Sequence, residues 1–253
     1  MNILITAGNT QAPIDRFRCV TNVFTGRAGT LVARTFWERG HTVTAFTTHT
    51  ELLADIPADG GSAERRMTVV SFRTYDDLTA LLNRHVRAQR YDAVVLAASV
   101  SDYLCAGVYS PDPGTYFNAR TNEWEARSGP PGMTENKDGK FRTRDPELWL
   151  RLVRAPNLVD RVRPQWGYRG LFVMFKFEAG LNDPELLDSA EQSRIQADAD
   201  LIVASTVESA NHWSFLGPVN GRYERVARRE LPERLVLAVE QMRHTGSRAE
   251  IDI

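Results

Sequence analysis

Short continuous apolar runs separated by amphipathic stretches set the pattern of this chain. Ile3-Leu4-Ile5-Thr6 ends at Ala7-Gly8, as a strand buried on both faces does. His41–Thr48 and Arg66–Phe72 are further strand candidates, and Tyr91–Ala98, Leu171–Phe177 and Ala199–Ser205 are again continuous apolar runs. Between them Thr30–Arg39, Tyr75–Gln89, Pro184–Ala197 and Leu231–Arg243 predict helices; in the second, Leu78, Leu81, Leu82 and Val86 share one face. His212–Val219 and Tyr223–Val226 read as a closing hairpin. Strands alternating with helices imply right-handed crossovers and a parallel sheet. The fold class predicted is therefore α/β: a Rossmann-like three-layer parallel sheet with a small β appendage, in a single domain over residues 1–253.

The pattern lapses at about 104–139, where Gly, Pro, Asn and Ser accumulate around PDPG and SGPPG. So long a stretch without periodic elements is unusual in a compact domain. It reads as an irregular excursion that folds over the site, packs on a second subunit or stays disordered. Beyond it, Lys140–Thr143 and Leu148–Val153 suggest a hairpin-like appendage, and Arg154–Val159 starts a helix with Pro156 near its first turn.

In sheets of this kind ligands sit beyond the strand C-terminal ends, which puts Gly8 and Ser99 on one rim. Thr25-Gly26-Arg27-Ala28-Gly29 leads into the first helix, where outward backbone N–H groups and the missing Cβ of glycine suit a phosphate. Gly8, Gly26 and Gly29 are too widely spaced for G-x-G-x-x-G, and no acidic residue closes the second strand. A dinucleotide oxidoreductase is thereby the least favoured reading. Ala98-Ser99-Val100-Ser101-Asp102-Tyr103, at the end of another strand, offers small residues for a base to lie against and one carboxylate.

Composition narrows the classes. The chain has 253 residues, 42% of them hydrophobic, and a net charge of −1, which gives no basic field for nucleic acid. No stretch approaches the ~18 apolar residues of a membrane span, and no secretory signal precedes the first strand. Cys19 and Cys105 cannot form a disulfide framework, and no metal-ligand spacing is present among the scattered histidines; a cytoplasmic location fits. The basic residues are 28 arginines and three lysines, Lys137, Lys140 and Lys176, which makes the lysines candidates for places that need a compact ammonium.

The wording of residues 2–29 is more specific than their spacing. Thr6, Gly8, Thr10, Ile14, Asp15, Arg18, Thr21, Asn22, Thr25, Gly26 and Gly29 match the opening of the phosphopantothenate–cysteine ligase family, the synthetase half of the bacterial DNA/pantothenate metabolism flavoprotein. Ala98–Tyr103 resembles that family's A-[AS]-x-V-[AS]-D-Y, and Phe175-Lys176-Phe177-Glu178 resembles its F-K-L-E variant.

The resemblance implies a ligase of coenzyme A biosynthesis whose substrates are 4′-phosphopantothenate and cysteine. CTP or ATP is its co-substrate, Mg²⁺ accompanies the triphosphate, and the family is homodimeric. It implies that Gly8, Thr10, Gly26 and Gly29 shape the phosphate loop, that Asn22 holds the activated carboxyl group, and that Arg18 steers an anionic substrate. Ala97, Ala98, Asp102, Phe175 and the turn Pro156, Asn157, Leu158 would hold the nucleotide. Lys140 would contact the phosphates and assist the second step, with Lys137 as its fallback. Lys176 alternates to the face opposite Phe175, which leaves it at the site or paired with an acidic residue.

Departures from the family pattern are Asn9, Ala12, Phe24 and Ser205, together with Gln192 and Gln196 where lysines would face the phosphates. Two other readings follow from these: a divergent paralogue that joins a different carboxylate and amine, and a non-catalytic nucleotide-binding protein.

Overall fold

The structure, a computed structural model, describes residues 1–56, 66–136 and 147–249. In chain order its strands and helices are β1 (Asn2–Ala7), β2 (Gln11–Pro13), β3 (Cys19–Thr21), α1 (Arg27–Glu38), β4 (Thr42–Thr47), β5 (Met67–Ser71), α2 (Tyr75–Arg87), β6 (Ala93–Leu96) and β7 (Tyr103–Pro111). There follow β8 (Thr115–Asn118), β9 (Glu123–Ala126), β10 (Met133–Glu135), β11 (Trp149–Arg154), β12 (Leu171–Glu178), α3 (Asp183–Ala197), β13 (Leu201–Thr206), β14 (Trp213–Val219), β15 (Arg222–Ala227) and α4 (Leu231–Ala249). Contacts group the chain into two compact units. The larger comprises Met1–Thr10, Val23–Val100 and Asn157–Ile253; the smaller comprises Gln11–Asn22 and Ser101–Pro156.

The larger unit holds a sheet ordered β15-β14-β13-β12-β6-β1-β4-β5. The pairs from β5 to β13 are parallel, and β14 and β15 close the sheet as an antiparallel hairpin. Counted along the parallel strands, the order is that of a doubly wound dinucleotide-binding sheet, and its direction of growth reverses between β1 and β6. Alternate residues face opposite layers. Ile3, Ile5, Val43, Ala45, Val95, Val173 and Val203 pack with Val32, Ala33 and Phe36 of α1 and Leu235, Val236 and Val239 of α4. On the other face Phe46 meets His85 of α2 edge-on at 5.0 Å, and α3 lies on β12 and β13. Each such Val, Leu, Ile or Phe side chain contributes about 1.5–3 kcal/mol by leaving water.

Helix starts explain why the predicted helices form where they do. At α2 the Thr74 hydroxyl accepts from the Asp77 amide (3.1 Å), and the Asp77 carboxylate accepts from the Thr74 amide (2.8 Å). Asn182 and Glu185 do the same for α3. Helix α1 differs: Gly26 stands at its start with φ 67°, no side chain caps it, and its first turn carries no acidic residue.

One predicted helix is absent. Residues after Arg154 form only a single 3-10 turn at Val159–Arg161. Pro164, which has no N–H, and Gly167, at φ 64°, stop its growth. Arg163 instead ties the segment down. Its guanidinium donates to the carbonyls of Asp198, Tyr168 and Gly170 and to the Asp200 carboxylate, all at 2.8–2.9 Å.

The smaller unit has β7 at the centre of a three-stranded antiparallel sheet, β10-β7-β11, with the hairpins β8–β9 and β2–β3. Phe117, Trp124 and Trp149 form an aromatic cluster with centroids 4.6–5.4 Å apart. The irregular excursion expected at about 104–139 is corrected accordingly: through 136 it is largely strand. Its strands escaped detection because neither face is fully buried, so alternation never develops; in β7 only Val108 is buried. Hairpin β2–β3 likewise occupies a stretch for which the sequence pattern predicts no element. Trp149–Arg154 pairs with β7, and the expected segment Lys140–Thr143 lies outside the described residues.

Candidate active site

At the C-terminal rim of the larger unit's sheet the three glycines interlock. Gly8 has φ 88°, and a Cβ there would lie 2.0 Å from the Thr48 hydroxyl oxygen. Gly26 comes so close to Gly8 that its Cβ would stand 2.8 Å from the Gly8 nitrogen and 2.9 Å from its Cα. At Gly29 a Cβ would sit 2.7 Å from that of Ala7 and 3.0 Å from the Thr6 carbonyl oxygen. These are the tasks of a dinucleotide fingerprint: a tight turn, a close backbone approach and a helix packed hard on its strand. Here they are split by the residues between Gly8 and Gly26, so spacing along the chain hides a juxtaposition in space.

Neighbouring backbone is fixed from below. The Thr6 hydroxyl, buried in β1, accepts from the amides of Ala97 and Ala98, each at 3.1 Å. The Ser99 amide donates to the Gly8 carbonyl (2.8 Å), and the Thr10 amide donates to the Ser99 carbonyl (3.0 Å). Gly8 and Ser99 thus share a rim as expected, at the point where strand order reverses. The Thr10 side chain is buried.

On β12, Met174 pairs with Leu96, so Phe175 stands level with Ala97, and both pack partly buried against the core on the α1 side. Phe177, two residues on and 42% exposed, meets Phe24 edge-on with centroids 5.0 Å apart. The two alternatives for Lys176 resolve to an ion pair: its Nζ lies 2.8 Å from Glu178 Oε1. Of the Pro156–Leu158 turn, Asn157 is exposed and Leu158 is buried in the core, which leaves backbone and the Asn157 side chain for contact.

Helix α3 carries no spare cation. Gln192 is exposed, and Gln196 donates to Asp160 (3.0 Å). Arg194 forks onto both oxygens of Glu191 at 2.8 and 2.7 Å and donates to the Ala199 carbonyl. Arg194 and the Tyr223 hydroxyl together hold the Glu191 carboxyl down at about 2. Ser205, buried, shares a hydrogen bond with Ser214 at 2.7 Å.

In the smaller unit Asp15 heads a turn, accepting from the Phe17 and Arg18 amides at 2.8 Å. The Arg18 guanidinium lies 3.5 Å from Asp15 Oδ2, so the expected anion-steering residue has an acidic neighbour. Asn22, half-buried, directly follows β3, and the β2–β3 hairpin rests on β7. Asp102 is exposed; its carbonyl accepts from the Ala155 amide (2.7 Å), which brings Pro156 beside it. Lys140 and Lys137 lie outside the described residues.

Gly8, Thr10, Gly26, Gly29, Ala97, Ala98, Asn157, Leu158 and Phe175 therefore belong to the larger unit, and Arg18, Asn22, Asp102 and Pro156 to the smaller. Sequence reasoning missed Thr6, Thr48 and His49. The signal for Thr6 was a hydroxyl in an otherwise apolar buried run; the other two had none. Among the described residues no cluster of three His, Cys, Asp or Glu could hold a metal, and no helix is long and apolar enough to cross a membrane.

Residues 1–110 match the family described as the DNA/pantothenate metabolism flavoprotein C-terminal domain. The coenzyme A biosynthesis bifunctional protein CoaBC of Thermococcus kodakarensis is 28% identical over 247 residues, which are 95% of this chain and 51% of that protein. The chain spans about half the length of this curated relative. The DNA/pantothenate metabolism flavoprotein of Streptococcus pneumoniae superposes with a TM-score of 0.74 at 23% identity, over 96% of this chain and 99% of that one. A Cab2 variant in complex with phosphopantothenate-cysteine has a TM-score of 0.67 at 16% identity, over 98% and 88% of the two chains. These likenesses establish the fold: a mostly parallel central sheet flanked by helices, with small extra sheets.

Proposed function

We propose, from the match of residues 1–110 to the DNA/pantothenate metabolism flavoprotein C-terminal domain family, that the chain is a nucleotide-dependent ligase joining 4′-phosphopantothenate to the amine of cysteine. The observation that carries this reading is the convergence of Gly8, Gly26 and Gly29 at the reversal of strand order. A carboxylate is a poor acyl donor. One of its oxygens attacks the α-phosphorus of CTP or ATP, the bond to the β-phosphate oxygen breaks, and pyrophosphate leaves. The cysteine nitrogen then attacks the acyl carbon of the mixed anhydride, expels the nucleoside monophosphate and gives up a proton. No covalent enzyme nucleophile is needed, so positioning and charge stabilisation supply most of the acceleration.

In this reading the glycine loop, with Thr10 beneath it, receives the phosphates against the start of α1, where the absence of an acidic first turn favours an anion. Ala97, Ala98 and the Asn157–Leu158 backbone border the base, with Phe175 as its wall. Asp102 and Pro156 complete the nucleotide contacts. Asn22 holds the activated carboxyl, Arg18 attracts the anionic acid, and Lys140 touches the phosphates and serves the second step. Mg²⁺ bound together with the triphosphate would supply charge neutralisation. A cytoplasmic homodimer completes the reading.

One observation favours a second reading. With Arg194 committed to Glu191 and glutamines at 192 and 196, α3 offers a triphosphate no uncommitted cation. That fits a paralogue working on another acid and amine. A pyrophosphate-release assay crossing CTP and ATP with and without 4′-phosphopantothenate and cysteine separates the two. The ligase reading expects release only with the acid present, product amide only with both substrates, and loss of activity in Asn22→Asp. Release with other acids but never with phosphopantothenate refutes it.

A further inference from the structure

The β4 end carries a histidine that the ligase chemistry so far leaves unused. Thr47-Thr48-His49 runs along the glycine loop: the Thr48 hydroxyl accepts from the Asn9 amide (3.2 Å), and the His49 amide donates to the Thr47 hydroxyl (3.0 Å). The His49 ring turns back toward α1. A Cβ on Gly26 would lie 3.2 Å from His49 Cδ2, the ring carbon bonded to Nε2. The other ring nitrogen, Nδ1, lies 3.0 Å from Glu51 Oε1. Among the described residues nothing bonds Nε2, and the side chain is 32% exposed.

A carboxylate on Nδ1 takes the proton of that nitrogen and orients the ring, and Nε2 donates when the ring carries its second proton. Nε2 is thus held on the Gly26 side of the loop. Arg34 is committed to Asp55 and the Leu52 carbonyl, with Glu38 close by. Arg27, the first residue of α1, is exposed. The strand β5, which packs on the 50–53 turn, brings no charged residue of its own.

We propose that His49, oriented by Glu51, is a phosphate-binding residue of this site, its Nε2–H donating to an oxygen of the anion seated on the Gly8–Gly26 loop. Glu51 is the positioning residue. The inference rests on the ligase reading and deepens it. It supplies from β4 part of the positive charge that α3 lacks, and it makes nucleotide affinity depend on imidazole protonation.

Calorimetric titration of CTP, ATP and inorganic pyrophosphate into wild type, His49→Ala, His49→Gln and Glu51→Gln at pH 6 and pH 8 tests it, with thermal melts to certify folding. His49→Ala should bind about tenfold more weakly at pH 6, as loss of one charge-assisted hydrogen bond requires. Raising the pH until the ring loses its second proton turns Nε2 into an acceptor and should remove that advantage. His49→Gln, which keeps a neutral donor and the side chain's bulk, should be intermediate and flat with pH. Glu51→Gln, which removes the carboxylate that orients the ring, should also weaken binding at pH 6. Equal affinity of folded wild type and His49→Ala at pH 6 overturns the inference and leaves the ligase reading standing. Failure of wild type to bind any of the three at either pH overturns both.

Discussion

Gly8→Ala tests how the loop is built. At φ 88° an L-residue carries the left-handed penalty, about 1–2 kcal/mol. The new methyl would also come 2.0 Å from the Thr48 hydroxyl oxygen, so that side chain must rotate away. Rotation deprives the Asn9 amide of its acceptor, worth about 0.5–1.5 kcal/mol. The two contributions give a loss of about 1.5–3.5 kcal/mol. Thr48→Ala alone forfeits only the hydrogen bond. Because Gly8→Ala has already broken that bond, adding Thr48→Ala should change little, so the double variant is less destabilised than the sum of the singles by about 1 kcal/mol. Urea unfolding followed by circular dichroism on all four proteins closes the cycle, with m-values checked for constancy. A Gly8→Ala protein within about 0.5 kcal/mol of wild type, or strict additivity with Thr48→Ala, refutes the geometry from which the argument starts.

Two further outcomes follow from contacts away from the loop. Glu191 is held ionised down to about 2, chiefly by hydrogen bonds from Arg194 and then Tyr223. Its stabilising contribution is complete above the unfolded carboxylate value (~4.3) and disappears as pH falls from there to about 2. Thermal melts between pH 5 and pH 2 should therefore fall less steeply in Glu191→Gln, by a modest margin because the carboxylate is 38% exposed; parallel curves refute the pairing. Arg163→Ala strips donors from three carbonyls and from Asp200, and should cost about 2–4 kcal/mol in urea unfolding. Arg163→Lys should recover little, since one ammonium cannot span that set; full recovery would show that charge alone matters.

The parallel sheet was legible because strands such as β1, β6 and β13 are buried on both faces and read as nearly unbroken apolar runs. Helices α2 and α3 were legible because Thr74–Asp77 and Asn182–Glu185 announce their starts. The smaller unit was not. Leu152 and Val153 both remain exposed on β11, across a bulge after Arg151, so no alternation marks the strand. The glycines were individually visible, but their mutual contact depends on how the residues between Gly8 and Gly26 return the chain to the rim. His49 was invisible for a related reason. Its meaning lies in the neighbour that β4 and α1 bring to it, and pairwise spacing along the sequence carries no trace of that.

Neither compact unit is a contiguous stretch of chain, since the smaller is assembled from Gln11–Asn22 and Ser101–Pro156. No single restriction fragment or protease cut can therefore liberate it. A clone of residues 101–156 would leave β7 without the hairpin that rests on it. Anyone grafting this module into a relative must transplant both stretches together, and the donor's glycine loop, spliced directly to the first of them, would have to accept the new junctions.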